Sequence, residues 1–498
     1  MPRPAVVWFR DDLRLADNPA LTAASAADAA VIAVYVFDPQ GEPRVPGAAS
    51  RWWLHGALEA LAADLAAHGV PLLTLQGPQR ETMIGLIDRL DAASVHWSRR
   101  YEAGGIAIDS ALKAHWRSQG RAAHSHKAAL LHEPWEVRGR AGDPLRVFTP
   151  FWRAARATGE PHLPLPVPAG LRGARLEDIG NLGVVPLAAL GLRPTRPDWA
   201  GGLRAAWTPG EAGARRRCDA FLATGLDGYG DGRNRPDRPM TSALSPYLRF
   251  GHISPRQLWH AAGAAVQSGA SPASHADMDK FRAELGWREF SYSLLFNHTA
   301  LHQRSVQPRF DAFPWRDDPA GLRAWQRGLT GYPLVDAGMR QLWTTGWMHN
   351  RVRMVAASFL IKHLLVDWRL GEDWFWDTLV DADPASNPAS WQWVAGSGAD
   401  AAPYYRIFNP VLQGETYDPQ GDYVRRYVPE LDRLPAPMIH RPWTATPAEL
   451  RAAGVVLDET YPRPIVDHAA ARARALAALE TLKPNADFRR INVSTRDQ

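Results

Sequence analysis

The sequence predicts an α/β domain built on a parallel sheet, followed by an all-helical domain. Three observations carry this. Ala5 to Phe9, Val31 to Phe37, Pro71 to Leu75 and Ser94 to Trp97 are short runs of apolar and β-branched residues, separated by helical patterns. Strands alternating with helices argue for parallel βαβ units. The stretch from Arg140 to about Trp207 is dense in proline (Pro161, Pro164, Pro166, Pro168, Pro194 and Pro197), which opposes helix and central strand alike and reads as a long surface connection. From Glu211 onward the pattern is helical, with no strand run of comparable quality. The expected division is 1–135 for the α/β domain, 136–206 for the connector and 207–498 for the helical domain.

Individual elements follow from periodicity. Ser50 to His68 carries Trp53, Leu54, Leu58, Leu61 and Leu65 on one helical face. Met278 to Phe296 and Val335 to Leu365 predict two long helices with wide apolar faces. No G-x-G-x-x-G follows the first strand and no G-x-x-x-x-G-K-[ST] occurs, which argues against a standard dinucleotide fold or a P-loop enzyme. There is no internal repeat, and Lys483 to Gln498 is expected to fray.

The bulk numbers narrow the class. With 498 residues, 46% of them hydrophobic, the chain has material for more than one core. Its best apolar run, Ala29 to Phe37, is too short to cross a bilayer. Arg10, Asp11 and Asp12 stand where a secretory leader needs an apolar stretch, so a cytoplasmic chain is expected. The lone cysteine, Cys218, excludes an intramolecular disulfide and a Cys-rich metal centre. A net charge of +5 suits a polyanion such as DNA. The excess of arginine over lysine fits compositional bias equally well. The 21 tryptophans are more informative: they point to an aromatic site, a base-stacking surface or electron transfer, while most of them, Trp152, Trp259 and Trp325 included, fill cores.

Four clusters in the helical half carry candidate chemistry. Tyr229-Gly-Asp-Gly-Arg233, followed by Thr241-Ser-Ala-Leu-Ser-Pro246, offers small hydroxyl residues that either cap a helix or bind a phosphate. In Glu284-Leu-Gly-Trp287-Arg288 a carboxyl, an indole and a guanidinium share one helix face, as a pocket wall or a surface ion pair. In Trp347-Met-His-Asn-Arg351-Val-Arg353-Met354, Asn350 and Met354 lie at i, i+4. Arg351 and Arg353 project roughly 200° apart, so one can face a phosphate while the other faces inward. Asp381-Ala-Asp383-Pro-Ala-Ser-Asn387-Pro-Ala-Ser-Trp391-Gln-Trp393 is denser in polar and aromatic groups than a turn needs. A metal is discounted there, because no His or Glu cluster accompanies the aspartates.

These motifs, with Trp8-Phe-Arg-Asp-Asp-Leu-Arg14, Asp17-Asn18, Gly331-Tyr-Pro-Leu-Val-Asp-Ala-Gly-Met-Arg340 and Gly346-Trp-Met-His-Asn-Arg351, resemble the photolyase/cryptochrome family from residue 6 to about residue 470. Within it the chain is most similar to the bacterial class III dimer photolyases. The resemblance implies FAD in the helical domain and light-driven repair of cyclobutane pyrimidine dimers in ultraviolet-damaged DNA. It places Tyr229, Thr241, Ser242, Ala243, Leu244 and Ser245 along the phosphate and ribityl side. Arg288, Arg353, Asp381 and Asp383 surround the flavin, with Arg353 paired to Asp381, and Asn387 faces flavin N5. Trp287 and Trp393 become walls for a flipped dimer, with stacking worth about 1–3 kcal/mol per base. Glu284 and Asn350 hydrogen-bond the pyrimidine edges, Glu284 as a protonated donor. Arg233, Arg351 and Gln413 contact DNA. Trp391, Trp368 and Trp315 form an electron path to the surface. Photolyases for the six-four lesion carry two histidines where this chain has Asn350 and Met354, so the cyclobutane branch is implied.

Departures from the family pattern limit two inferences. Arg99-Arg-Tyr-Glu102-Ala-Gly-Gly105 lacks the Asn-Glu pair of one folate-binding branch, and the class III likeness favours methenyltetrahydrofolate as antenna, held between the domains. Phe281 replaces a tryptophan that some relatives place beside the flavin. A monomer with no membrane contact is expected. Two rival readings are a cryptochrome-type photoreceptor, which often carries a long polar tail that this chain lacks, and a flavin-free nucleic-acid-binding module.

Overall fold

The computed structural model describes residues 3–26, 29–41, 44–175, 180–400 and 405–482, so the expectation for Lys483 to Gln498 lies outside the described residues. Five strands, β1 (Ala5–Phe9), β2 (Val31–Phe37), β3 (Leu72–Gln76), β4 (Ser94–Ser98) and β5 (Ala122–His126), form one sheet in the order β3-β2-β1-β4-β5. Every pairing is parallel, with Val7 opposite both Ala33 and His96. The helices Pro19–Ala26, Ala48–Ala66, Gln79–Leu90 and Ala103–Ser118 lie between successive strands. Both faces of the sheet are covered, so β1 has no polar alternation to show. Ala5, Val7 and Phe9 enter one core, and Val6 and Trp8 the other. The fifth strand has the sequence Ala-Ala-His-Ser-His. It sits at the sheet edge and needs no apolar run, which is why periodicity misses it.

Two expectations are corrected. The proline-rich stretch is not structureless. Its residues Phe148–Arg156 form a helix that buries Phe151 and Ala155 against Phe290 and Leu294 of the long His275–Asn297 helix. Further on, the connector returns to the first domain, where the backbone N–H of Val185 donates to Thr74 (2.9 Å) and that of Ala174 to Val31 (3.0 Å). Nor is Val335 to Leu365 one helix. Pro333–Thr345 stops at Gly346, whose φ of 67° is left-handed, and a second helix, Asn350–Ser358, starts from His349. That helix runs into a π-helical turn, Phe359–His363. The apolar pattern continues across the break because Leu342, Met348, Val352 and Val355 all enter one core.

The two domains are packed as one body through a polar seam. Arg14 is fully buried, and its guanidinium donates to the carbonyls of Asp17 (2.7 Å), Gly251 (2.9 Å) and Ala128 (3.1 Å). Leu13 donates its N–H to Phe250 (3.0 Å), and Leu15 donates to the Glu211 carboxylate (2.9 Å). His252 bonds the Leu13 carbonyl through Nδ1 and accepts the Trp53 indole N–H at Nε2, 3.0 Å away. Burial pushes the His252 pKa down to about 4, in keeping with a neutral ring that accepts this bond. The opening signature, Trp8 to Asn18, is therefore largely the side of the seam contributed by the first domain.

Gly251 is the tightest point of the seam. Its φ is +67°, and a Cβ there would stand 2.2 Å from the Asp11 carbonyl oxygen. Gly251→Ala is expected to destabilise the protein by about 1–3 kcal/mol, through backbone strain and forced separation of the domains. A chemical-denaturation midpoint unchanged from wild type would contradict this.

Candidate active site

The helical domain encloses a cavity of about 480 Å³, a size suited to a bulky organic ligand. Its walls come mainly from five segments. The 242–249 loop and helix brings Ser242, Leu244, Ser245 and Arg249. The His275–Asn297 helix brings Phe281, Glu284, Trp287 and Arg288. Asn350, Arg353 and Met354 come from the Asn350–Ser358 helix. Asp381, Asp383 and Asn387 precede or open the Ser386–Ala395 helix, which adds Trp391 and Trp393. Tyr229 and Arg233 complete it.

The i, i+3, i+4 spacing in the long helix does put Glu284, Trp287 and Arg288 on one wall. The carboxylate does not pair with Arg288. It pairs with Arg233 at 2.7 Å and lies 3.9 Å from Lys280. Burial pushes the Glu284 carboxyl up, while the two cations oppose this. Arg288 instead donates to the Ala129 carbonyl (2.6 Å) and stacks on Tyr292. Trp287 lies flat against Phe148 of the connector helix, with centroids 3.8 Å apart and planes at 7°. One indole face is thus covered and its orientation fixed.

The opposite wall is polar. Arg353 donates to Asp381 (2.8 Å) and to the Met348 carbonyl (2.7 Å), and the Ser245 hydroxyl donates to the same Asp381 oxygen (2.6 Å). The other Asp381 oxygen is buried without a partner. Asp383 does both things that turn aspartates can do. One oxygen accepts the N–H groups of Ala385 (2.9 Å) and Ser386 (2.7 Å), and the other accepts the Tyr292 hydroxyl (2.9 Å). The helix Ser245–Arg249 has no side-chain cap, so the hydroxyls of the 241–245 loop are not spent on capping it. Arg351 and Arg353 diverge as their spacing requires: Arg353 lines the cavity, while Arg351 reaches Asn234 (2.7 Å) and covers the Tyr417 ring.

Thr241 and Ala243 lie in the same loop as Ser242 without lining the cavity, and Arg351 and Gln413 also stand outside its lining. In Trp391-Gln-Trp393 the two indoles line the cavity. Gln392 is a structural knot between them that donates to the carbonyls of Leu301 and Arg304 and accepts from Val306. Trp391 and Trp368 belong to one buried cluster, and half-buried Trp315 packs against it. Phe281 meets Tyr229 and Phe221 edge to face or tilted. Sequence reasoning missed Phe148, Arg249 and Glu372. Arg249 lines the cavity and pairs with Asp11 of the first domain at 2.7 Å. Nothing local in the sequence marks any of the three. Among the described residues no group of three His, Cys, Asp or Glu side chains is placed to hold a metal, and no helix is long and apolar enough to cross a membrane.

Comparison with known proteins gives a consistent result. Residues 5–169 match the DNA photolyase family model, and residues 281–481 match the FAD binding domain of DNA photolyase. The chain is 50% identical over 480 residues to a deoxyribodipyrimidine photo-lyase of Agrobacterium fabrum, covering 96% of this chain and 98% of that one. It is 38% identical to cryptochrome-1 of Arabidopsis thaliana, with 96% of this chain aligned to 70% of the plant protein. The crystal structure of a bacterial class III photolyase from Agrobacterium tumefaciens superposes with a TM-score of 0.92 at 49% identity, over 97% of this chain and 98% of that one. This chain belongs to the photolyase/cryptochrome family.

Proposed function

We propose that this chain is a deoxyribodipyrimidine photo-lyase, a monomer that binds ultraviolet-damaged DNA in the cytoplasm and splits cyclobutane pyrimidine dimers under blue light. One observation carries the reading: a single cavity is lined by the tryptophans Trp287 and Trp393, with Trp391 beside them, and by the polar Arg353, Asp381 and Asn387.

The residues present fit FAD. The uncapped 241–245 loop, with Thr241, Ser242, Ala243, Leu244 and Ser245, and Tyr229 beside it, would take the phosphates and ribityl hydroxyls. Arg288, Arg353, Asp381, Asp383 and Asn387 would surround the ring, and the unpartnered Asp381 oxygen supports a donor ligand there. Held by these residues, reduced FAD would supply light-driven one-electron chemistry for opening the cyclobutane ring. The protein's part is to position and solvate. A dimer must leave the duplex to be reached, and unstacking costs on the order of a few kcal/mol, least for a damaged pair. Trp287, held by Phe148, and Trp393 would offset this by stacking. Asn350 and Glu284 would hydrogen-bond the pyrimidine edges, beside Met354, which the Asn350 amide approaches to 3.9 Å. Glu284 would act as a donor once protonated, a state that its burial favours and its Arg233 partner opposes. Arg233, Arg351 and Gln413 would meet the DNA. Trp391, Trp368 and Trp315 would carry electrons to the flavin from the surface, supported by their shared core. Methenyltetrahydrofolate between the domains is the antenna in this reading, and an absorption band in the near ultraviolet beyond those of flavin tests it.

The deciding experiment illuminates the purified, reduced protein with an oligonucleotide containing one dimer. Light-dependent restoration of the intact pyrimidines is expected. Flavin bands without repair would instead favour a photoreceptor, and the absence of flavin bands would remove both readings. Trp287→Ala is expected to weaken binding of that oligonucleotide by about 1–3 kcal/mol with flavin retained, measured by fluorescence anisotropy. Unchanged affinity contradicts the stacking role. Trp315→Phe is expected to abolish photoreduction of oxidised flavin while sparing repair by chemically reduced protein, and normal photoreduction would show another exit route.

A further inference from the structure

The loop after β2 does more than join two elements. Its residues Arg44 to Gly47, with Ala48 to Ser50 in the first turn of the following helix, clasp the Trp368–Thr378 helix of the other domain. The Trp376 indole donates to the Val45 carbonyl (2.8 Å), the Ala48 N–H donates to Asp377 (2.8 Å) and the Ser50 hydroxyl donates to the Leu379 carbonyl (3.1 Å). Gly47 is pressed so closely that a Cβ would stand 2.1 Å from the Trp376 carbonyl oxygen. At the head of the clasp, Arg44 stacks over the Trp376 ring, 4.0 Å from its centroid. It reaches Asp373 (2.9 Å) and grips both oxygens of Glu372, at 2.9 Å and 3.0 Å.

Glu372 is almost completely buried, with 1% of its side chain exposed. A forked bond to both oxygens is the geometry of an ionised carboxylate, and such a group only accepts hydrogen bonds. Burial pushes the Glu372 carboxyl up, and Arg44 opposes that shift by hydrogen bonding and charge. On the other side of Glu372 stands Asn387. Its amide nitrogen donates to the Glu372 carboxylate (2.8 Å) and to the Glu372 backbone carbonyl (3.1 Å). With two acceptors on that side, the amide has one sense, and its oxygen is left for the cavity that Asn387 lines.

We propose that Arg44 is a positioning residue for the flavin site: by holding Glu372 as a carboxylate it fixes the amide of Asn387 with its carbonyl oxygen toward the cofactor. The proposal rests on the reading that Asn387 contacts the flavin ring. Reduced flavin carries an N–H where the oxidised ring has a bare nitrogen. A fixed carbonyl oxygen accepts from the former and is repelled by the latter, so the relay favours the reduced state that repair requires. Without Arg44, Glu372 is an unpaired buried charge and takes up a proton. A protonated carboxyl can donate to the Asn387 oxygen, which lets the amide turn its NH2 group to the cavity.

The test is the midpoint potential of bound flavin, measured against a reference dye. Arg44→Ala and the isosteric Glu372→Gln are each expected to shift the balance about tenfold toward oxidised flavin, about 30 mV for a two-electron couple. Arg44→Lys, which keeps the charge, should recover most of the shift. Asn387→Ala should itself shift the potential, and adding Arg44→Ala to it should change the balance less than twofold. If Asn387→Ala shifts the potential but Arg44→Ala or Glu372→Gln leaves it within twofold of wild type, the relay is overturned and the reading of Asn387 stands. If Asn387→Ala leaves the potential unchanged with flavin bound, that reading falls and the relay with it.

Discussion

A guanidinium cannot be buried with its N–H groups unpaired, and Arg14, 1% exposed, has almost no water to relieve it. Its partners are main-chain carbonyls of two separate stretches of the first domain, at Asp17 and Ala128, and of the loop that follows Phe250. Leaving such donors unsatisfied would cost several kcal/mol, so these three segments are obliged to meet at one point. The position of the 242–249 segment follows from this, and with it Ser242, Ser245 and Arg249 on the cavity wall. The first domain thereby acts as a structural template for a site that lies in the second.

The cavity itself depends on backbone that yields to large side chains. Gly371 has no Cβ because one would stand 2.1 Å from the Trp391 ring, and Gly286 would similarly collide with Trp152 at 2.5 Å. Trp391 can therefore sit against the helix that carries Glu372, and Trp152 beneath the helix that carries Trp287. The connector adds Phe148, stacked flat against Trp287. Rigid aromatic walls of this kind lose little conformational entropy when a ligand stacks on them.

Charge is distributed with similar economy. Each cavity carboxylate has a cationic or hydrogen-bonding partner from a different element: Glu284 has Arg233, Asp381 has Arg353 and Ser245, and Asp383 has Tyr292. Asp400, which also lines the cavity, accepts the Phe148 N–H and so ties the connector helix to the same wall. The electrostatics of the site and the docking of its elements are one network.

Much of this was legible in the sequence. β1 to β4 announced themselves by continuous apolar runs, because a sheet covered on both faces needs no polar positions. The helical repeat correctly grouped Glu284, Trp287 and Arg288, and correctly separated Arg351 from Arg353, since both are consequences of 3.6 residues per turn. The dense Asp381 to Trp393 segment betrayed a site because it holds more polar and aromatic groups than local turns consume. What the sequence could not determine is which side chains meet across the fold. Arg44 and Glu372 are separated by 328 positions, Phe148 lies in a proline-rich connector, and β5 is a polar edge. Glu284 chose Arg233 over the neighbour four residues on, and the apolar stripe from Val335 broke at Gly346. Local periodicity reports which face of an element is apolar. Only the packed structure decides which charged group another segment delivers to that face, because desolvation rewards the partner that is nearest in space.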